Sequence, residues 1–300
     1  MDSELGLKED VSWSSKEYQQ YEQEFKIYAQ ENLRNRMADE DFSIEQHEDP
    51  TVLPAKLQEL LSMWQRARHV VIFTGAGIST SAGLPDYRGP HGVWTKKLKG
   101  EIVSDLELDP LALQPSTAHV AIARLWRKGF LQFVATTNVD GLHKKAGVAA
   151  ESLAELHGNS FLEECETCLQ RFERGFAVRT ARGLFDHRTG RLCDCGGPLR
   201  DIIVNFGNTC DHVPSMEAAH DATWVQCLKA DLVVVLGSSL SVPTACDLPE
   251  ECLCSRDGKP ASQGHPTPLR LFGGRWANGD RQPAADAERP LGRPKDLCPL

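Results

Sequence analysis

The sequence predicts an α/β protein built on a parallel sheet, with one small inserted domain. Three apolar runs rich in β-branched residues have the character of strands buried on both faces: 69–74, 130–137 and 231–237. Helical patterns at 116–128 and 214–229 lie between these runs, and strands that alternate with helices favour a parallel sheet. The stretch 161–210 breaks this rhythm and holds five of the ten cysteines, so we interpret it as the insert.

The first helix of the sheet domain is predicted at 52–67. Its apolar side chains recur at three-to-four spacing and form one face, which comprises Leu57, Leu60, Leu61 and Trp64. HVVIFT (69–74) follows as the first strand, and the later strands are FLQFVATT (130–137) and DLVVVLG (231–237). We therefore expect a strand–helix alternation that begins near residue 51.

Composition divides the chain into four parts. Residues 1–50 are polar, and the pattern at 15–37 fits either a solvated helical extension or a disordered arm. The parallel-sheet domain comprises 51–160 and 211–250 and encloses the insert at 161–210. Residues 251–300 are dense in Pro, Gly and Arg without apolar periodicity, so we predict a disordered, atypical tail.

Charge and hydropathy exclude two classes of function. The chain is 41% hydrophobic and 25% charged, which is typical of a globular protein. Its formal net charge of -9 gives no strong direct nucleic-acid signal. No apolar run approaches the roughly 18 residues of a membrane helix, so we expect no membrane partner.

A glycine-rich segment, TGAGISTSAGLPDYRG at 74–89, follows the first strand. Gly75 and Gly77 allow a tight turn and close approach to a pyrophosphate, although such a pair can also be turn residues only. The dehydrogenase form of this motif, G-x-G-x-x-G, is disfavoured. Thr80 occupies the position of its third glycine, and no strand that ends in Asp or Glu follows at the expected distance. We predict a Rossmann-like dinucleotide site of another kind.

Two cysteine pairs in the insert predict a metal site. They are Cys165-x-x-Cys168 and Cys193-x-Cys195. The acidic, polar N-terminus is not a secretory signal, so we expect a reducing compartment, where clustered cysteines bind metal more often than they form disulfides. Two such pairs can close a tetrahedral structural zinc site; four independent buried thiols are the alternative. The second pair has a single spacer residue, and we expect Gly196-Gly197 to relieve that tighter turn.

Further motifs follow the glycine segment in a fixed order: TTNVDGLH (136–143), LHGN (156–159), NFG (205–207) and GSSLSV (237–242). With GAGIST and GLPDYRG, they resemble the motifs of the sirtuin (Sir2) family over roughly residues 55–250. PHGVW at 90–94, and TGRLC, LRD and NFG after the first cysteine pair, resemble the class IV branch, most closely its sirtuin-seven-like members.

The resemblance implies an NAD-dependent protein-lysine deacylase with one structural zinc. In that family the acyl-lysine carbonyl oxygen attacks the ribose carbon that bears nicotinamide, and nicotinamide leaves. His157 is then the base that deprotonates a ribose hydroxyl, a task that suits an imidazole pKa near 6.5. Asn138 positions ribose and water, and Asp140 contacts the nicotinamide carboxamide. A helix N-cap after a strand is the alternative interpretation of these last two residues.

By the same resemblance, NAD is consumed as a co-substrate. Ser79, Asp86 and Arg88 organise the cofactor loop. The residues implied to bind NAD are Gly75, Ala76, Gly77, Ser79, Asp86, Tyr87, Arg88, Thr137, Asn138, Asp140, Gly237, Ser238 and Ser239.

The resemblance also implies an extended acyl-lysine peptide as substrate, with histone tails as one source, and a nuclear location. The residues implied to contact the peptide are Asn205, Phe206, Gly207, Ser241 and Val242. An added strand uses main-chain hydrogen bonds and little side-chain readout, so the protein substrate stays undefined.

Departures from the family pattern keep two alternatives open. Thr137 replaces the family's usual glutamine, Asn208 replaces a frequent glutamate, and nothing after Glu251 resembles the family's last strand. PLRLFGG (268–274) is interpreted as too short and poorly placed to form that strand. The alternatives are a protein mono-ADP-ribosyltransferase that uses the same NAD site and a catalytically inactive zinc-binding interaction module.

Overall fold

The computed structural model describes residues 47, 49–87, 89–99, 101, 112–178, 186–205, 213, 215–240, 248–249 and 269–270. The helix predicted at 15–37 lies outside these residues, as does nearly all of the predicted tail. No helix in the described ranges is both long enough and apolar enough to span a bilayer.

The helices and strands follow one another along the chain as α1 (Leu53–Arg66), β1 (Val70–Thr74), α2 (Val93–Leu98), α3 (Thr117–Arg127), β2 (Phe133–Thr136), α4 (Leu142–Ala146), β3 (Leu153–Glu155), β4 (Leu162–Cys165), β5 (Arg171–Glu173), β6 (Arg188–Leu192), β7 (Pro198–Asp201), α5 (Ser215–Lys229), β8 (Leu232–Leu236) and β9 (Leu269–Arg270). Short 3₁₀ turns occupy Ala76–Ile78, Thr80–Ala82 and Ala150–Ser152.

A five-stranded parallel sheet in the order β3-β2-β1-β8-β9 forms the main domain. β1 lies at its centre and pairs with β2 on one side and β8 on the other, with Ile72 opposite both Val134 and Val234. All five residues of β1 are buried, as expected for a parallel strand that is covered on both faces. The predicted α/β, Rossmann-like class is confirmed.

The two faces of the sheet are covered by different helices. Alternate strand residues such as Ile72 and Val134 pack against α1 and α3, including Trp64 and Ile122. On the other face, Phe73, Val233 and their neighbours pack against α5 through Ala219 and Cys227. Burial of apolar side chains at roughly 25 cal/mol per Å² on both faces stabilises this three-layer arrangement.

A second, antiparallel sheet in the order β5-β4-β7-β6 lies within residues 162–201. Its core packs the two buried cysteines, Cys165 and Cys193, against Leu199 and Phe172. Glu163 is fully buried in this sheet and pairs with Arg174 and Arg191. The sheet interrupts the main domain between β3 and α5.

The far edge of the main sheet differs from the sequence-based interpretation of PLRLFGG. Leu269 and Arg270 form the short strand β9, which pairs in parallel with β8 opposite Val234 and Val235. This part of the chain therefore contributes backbone pairing at the sheet edge, where the sequence was interpreted as containing no strand.

Candidate active site

The carboxyl ends of four parallel strands meet at one edge of the main sheet. Thr74 ends β1, Thr136 ends β2, Glu155 ends β3 and Leu236 ends β8, and they align in register as neighbours. Ligands of open α/β sheets bind outside this edge. The loops that follow these strands carry most of the residues singled out in the sequence.

The glycine loop lies directly against the loop after β8. The N–H of Gly77 donates to the carbonyl of Gly237 over 2.8 Å, and the N–H of Gly75 donates to the carbonyl of Leu236 over 3.1 Å. A Cβ at Gly75 would come within 2.7 Å of the Gly237 oxygen, and one at Gly77 within 2.8 Å of the Gly237 Cα. These glycines are therefore required because two backbones approach each other closely.

A polar network joins the glycine loop to the loop after β2. The Asn138 Nδ2 donates to the carbonyl of Gly75 over 3.1 Å and to the Ser79 Oγ over 3.2 Å. The Ser79 hydroxyl donates to Oδ2 of Asp140 over 2.7 Å. The other oxygen of Asp140 accepts the N–H of Leu142 over 2.9 Å, at the start of α4. The carboxylate thus both stabilises a helix start and orients the network.

His157 lies in a loop that both domains hold in place. The N–H of Leu156 donates to the carbonyl of Thr136 over 2.8 Å, and the N–H of Val204 donates to the carbonyl of His157 over 2.9 Å. Gly158 has φ +83, and a Cβ there would lie 1.9 Å from the carbonyl oxygen of Ile202. The segment after β7 therefore packs directly against the backbone of the histidine loop.

Glu155 lies beneath that loop, and the sequence interpretation missed it. Its Oε1 accepts a hydrogen bond from the Asn159 Nδ2 over 2.7 Å, and the Asn159 Oδ1 accepts the N–H of Phe161 over 2.8 Å. Burial raises the pKa of Glu155 to about 7, although the hydrogen bond from Asn159 opposes the shift. The available signal was an acidic residue two positions before His157, at the end of a strand.

Two of the other predicted NAD-binding residues lie in the loop that precedes α2. Oδ2 of Asp86 accepts the N–H of Gly89 over 3.2 Å, and the carbonyl of Asp86 accepts the N–H of Val93 over 2.9 Å. Tyr87 is 42% exposed. Arg88 lies outside the described residues.

Residues on the remaining strand-end loops and in the predicted peptide site are described only in part. The Thr137 hydroxyl donates to the carbonyl of Thr74 over 3.4 Å, and the Ser238 Oγ accepts the N–H of Leu240 over 3.2 Å. Asn205 is buried. The predicted contact residues that lie outside the described part of the chain are Phe206, Gly207, Ser241 and Val242.

The four cysteines of the insert converge on one point. The sulfurs of Cys165, Cys168, Cys193 and Cys195 all lie within 4.8 Å of one another. The Cys165–Cys195 and Cys168–Cys193 sulfur distances are 3.5 and 3.6 Å. A zinc ion about 2.3 Å from four thiolates in a tetrahedron places the sulfurs about 3.8 Å apart, so this donor set fits zinc.

The local backbone adapts this cluster to metal binding. Backbone N–H groups of Cys168 and Thr167 donate to the Cys165 sulfur and lower the pKa of that thiol to about 6. Burial and the neighbouring sulfurs raise the pKa of Cys193, so without metal the Cys165 thiolate forms first. The single-spacer turn after Cys193 closes through Gly196, whose φ is +83. Gly197 passes so close that a Cβ there would be 2.8 Å from the Cys165 sulfur.

The fold and its cysteine cluster define a Rossmann-like α/β protein with an inserted structural metal site. A model of the Sir2 family matches residues 103–244. An NAD-dependent protein deacetylase of Saccharolobus solfataricus is 34% identical over 210 residues, which cover 64% of this chain and 78% of that protein. The chain belongs to the Sir2 family, and the sirtuin resemblance is confirmed.

Other relatives are longer than this chain. Sirtuin-7 of Homo sapiens is 42% identical over 200 residues, which cover 65% of this chain and 48% of that protein. The deacetylase SRT1 of Arabidopsis thaliana is 43% identical over 209 residues, covering 68% of this chain and 42% of that protein. The chain thus spans about half the length of these curated relatives.

A solved structure of a Sir2 homologue in complex with ADP-ribose has the same fold. It superposes with a TM-score of 0.50 at 30% identity, covering 65% of this chain and 79% of that chain. The superposition shows that the similarity in sequence is accompanied by a similar fold.

Proposed function

We propose that this chain is an NAD-dependent protein-lysine deacylase that transfers the acyl group to ADP-ribose and releases nicotinamide. The observation that carries the proposal is the network of Ser79, Asn138 and Asp140 beside the glycine loop. It puts a carboxylate, a hydroxyl and an amide at the sheet edge where dinucleotides bind. The Saccharolobus relative, of which the chain covers 78%, is named for the same activity.

The described residues supply specific parts of this chemistry. The N–H groups and close-packed backbone of the glycine loop suit a pyrophosphate. Asp140 accepts a hydrogen bond from the Ser79 hydroxyl, whose oxygen in turn accepts from Asn138, so the three side chains are oriented together. His157, on the adjoining strand-end loop, is the proposed base for a ribose hydroxyl. The cysteine cluster would hold a structural zinc beside the core of the insert. We assign no step of the reaction to that zinc.

The proposed substrate is an acyl-lysine protein or peptide, with histone tails as the first candidates, and the proposed location is the nucleus. The choice of histone peptides rests on the class IV resemblance of the sequence motifs. We assign peptide contacts to the segment that begins at Asn205 and to the loop after Ser239, as the family motifs imply.

Nicotinamide release from NAD tests the proposal. Purified protein would receive NAD and an acetyl-lysine histone peptide, with the unacetylated peptide and His157→Ala as controls. Steady-state release over many turnovers that needs the acetyl group and disappears in His157→Ala is the expected result, because the step assigned to His157 must be completed before the enzyme can turn over again. Label from NAD that stays on protein would instead establish mono-ADP-ribosyl transfer. Zinc at one equivalent without NAD binding would establish an inactive zinc-binding module.

A further inference from the structure

Two histidines form a buried pair next to the ends of the glycine loop. His119 of α3 is fully buried, His143 of α4 is 1% exposed, and their rings meet edge to face with centroids 4.8 Å apart. Burial lowers the pKa of both imidazoles, that of His143 to about 3, so both are neutral at physiological pH. Neither histidine belongs to the catalytic set described above.

The proton on His119 can be assigned from two short contacts. The Ser116 Oγ lies 2.7 Å from the carbonyl oxygen of Ile78 and 2.8 Å from Nδ1 of His119. Each contact needs one proton, a serine hydroxyl has only one, and a carbonyl has none. The second proton must therefore come from Nδ1–H of His119. The N–H of Ser116 lies 3.3 Å from the same nitrogen in a capping-box geometry that needs Nδ1 as acceptor, so a protonated Nδ1 gives up this longer bond.

The proton on His143 depends on which group donates in its contact with Thr74. Nε2 of His143 lies 2.8 Å from the Thr74 hydroxyl, whereas that hydroxyl is 3.5 Å from the carbonyl of Ala135. Nε2 of His119 and Nδ1 of His143 are buried without a hydrogen-bond partner among the described residues. With Nδ1 of His119 protonated, its Nε2 carries a lone pair. A His143 that is protonated on Nδ1 and accepts from Thr74 would offer it a proton, whereas one protonated on Nε2 would donate to Thr74 and leave both of these nitrogens as acceptors.

We infer that these groups form one directed hydrogen-bond relay that positions the glycine loop for NAD. Its members, in order of donation, are Thr74, His143, His119, Ser116 and the carbonyl of Ile78. The two imidazoles connect either through a small ring rotation or through a single bridging water.

The ends of the relay explain its role. Thr74 and Ile78 directly flank the segment 75–77, so the relay holds both ends of the glycine loop against α3 and α4. The loop's carbonyl at Gly75 is the acceptor for Asn138, so a displaced loop would also misplace the catalytic network. These are positioning residues for the proposed reaction, because they act through the loop and not on the reacting atoms.

Removal of the Thr74 hydroxyl provides the main test. Its ADP-ribose readout rests on the proposed function. Thr74→Val keeps the shape and removes the donor. Thr223→Val is the matched control, since Thr223 is also fully buried and its hydroxyl donates to the carbonyl of Ala219 within α5. We expect Thr74→Val to weaken ADP-ribose binding on the order of tenfold by calorimetry, and Thr223→Val to leave it unchanged.

A second readout needs no ligand. Amide hydrogen exchange in the segment 75–78 should be faster in Thr74→Val and in Ser116→Ala than in Thr223→Val. If the wild-type protein does not bind ADP-ribose, the proposed function is wrong. The amide exchange rates of the variants would still test the relay. Exchange rates and ADP-ribose affinity equal to those of Thr223→Val would overturn the relay.

The proton positions give a spectroscopic test on the unaltered protein. Long-range ¹H–¹⁵N spectra should assign the proton to Nδ1 in both His119 and His143, and an Nε2 proton on His119 would contradict the inference. His119→Asn retains an amide donor near the Nδ1 position and should preserve loop exchange rates better than His119→Leu. Equal amide exchange rates in the two variants would show that His119 contributes packing only and no hydrogen bond to the loop.

Discussion

The Ser79 hydroxyl donates to Oδ2 of Asp140 over 2.7 Å, across 61 positions of sequence. This bond joins the loop after β1 to the loop after β2, and Asn138 reinforces it by donating to the same hydroxyl oxygen. Asp140 is fixed in turn because its other oxygen accepts the N–H of Leu142. A carboxylate held at both oxygens has little freedom, which favours a preorganised site.

Removing either partner of this bond should lower the rate of NAD cleavage at least about tenfold, since one buried polar contact to a charged group is lost. Asp140→Asn still accepts from Leu142 but offers an N–H to Ser79, and Ser79→Ala removes the donor. The two losses should not add in the double variant, because both break the same contact. Rates of nicotinamide release measure this, with Thr80→Ala as a control from the same loop. Additive losses would show that the residues act separately.

Zinc removal should destabilise the insert. Cys165 and Cys193 belong to its small apolar core, so loss of the metal would leave buried thiolates that repel one another until they take up protons. Structural zinc contributes on the order of 10 kcal/mol coupled to folding. Elemental analysis should find one zinc per wild-type chain and less in Cys165→Ser, with a lower Tm. Cys227→Ala, on the face of α5 that packs against the main sheet, should keep its zinc. Unchanged Tm after metal loss would contradict this role.

The parallel sheet could be predicted from sequence because its strands are continuous β-branched runs. The prediction of 130–137 was three residues too long at its start. The N–H of Gln132 still donates to the carbonyl of Val70 there, but the Gln132 side chain takes part in the remaining contacts. Its Nε2 donates to the carbonyl of Gly129, and its Oε1 accepts the N–H of Val70. Phe130 is 57% exposed and so contributes apolar character without being buried. A strand end at which a side chain accepts the neighbouring strand's N–H leaves no periodic signal in the sequence.

Site residues within recurrent motifs were identifiable, whereas contacts between motifs were not. Ser79 and Asp140 were each singled out from their own segments. The Thr74–His143 contact, across 69 positions, depends on how α4 packs against β1, which local pattern does not encode. The four-stranded sheet of the insert was also not predicted, because its strands are three to five residues long and rich in charge.

Gly158→Ala should impair folding and activity far more than Gly129→Ala. Both glycines have positive φ, +83 and +77, so both substitutions incur the left-handed backbone strain of about 1–2 kcal/mol. A Cβ at Gly129 meets nothing within 4 Å, whereas one at Gly158 would lie 1.9 Å from the Ile202 oxygen. Thermal unfolding and nicotinamide release would measure the difference. Equal effects of the two variants would mean that the His157 loop does not depend on this contact.

Glu155 should make stability depend on pH in a defined window. Its pKa is raised from 4.5 to about 7, chiefly by burial, with Asn159 and Lys144 opposing the shift and Asp140 adding to it. The folded state therefore binds a proton that the unfolded state releases near pH 4.5. The stabilising contribution is complete below that pH and is lost as the pH rises through about 7. Because Glu155 is partly exposed, we expect a loss on the order of 1–2 kcal/mol.

Glu155→Gln isolates this titration, because glutamine can still accept from Asn159 but carries no proton to lose. Urea unfolding of both proteins between pH 5 and 8 is the measurement. The free energy of unfolding of the wild type should fall relative to that of Glu155→Gln across the range, and the two should then run parallel above about pH 8. Every other titrating group is common to both proteins, so the difference reports Glu155 alone. Curves that stay parallel from pH 5 upward would mean that this carboxyl is already ionised in the folded state.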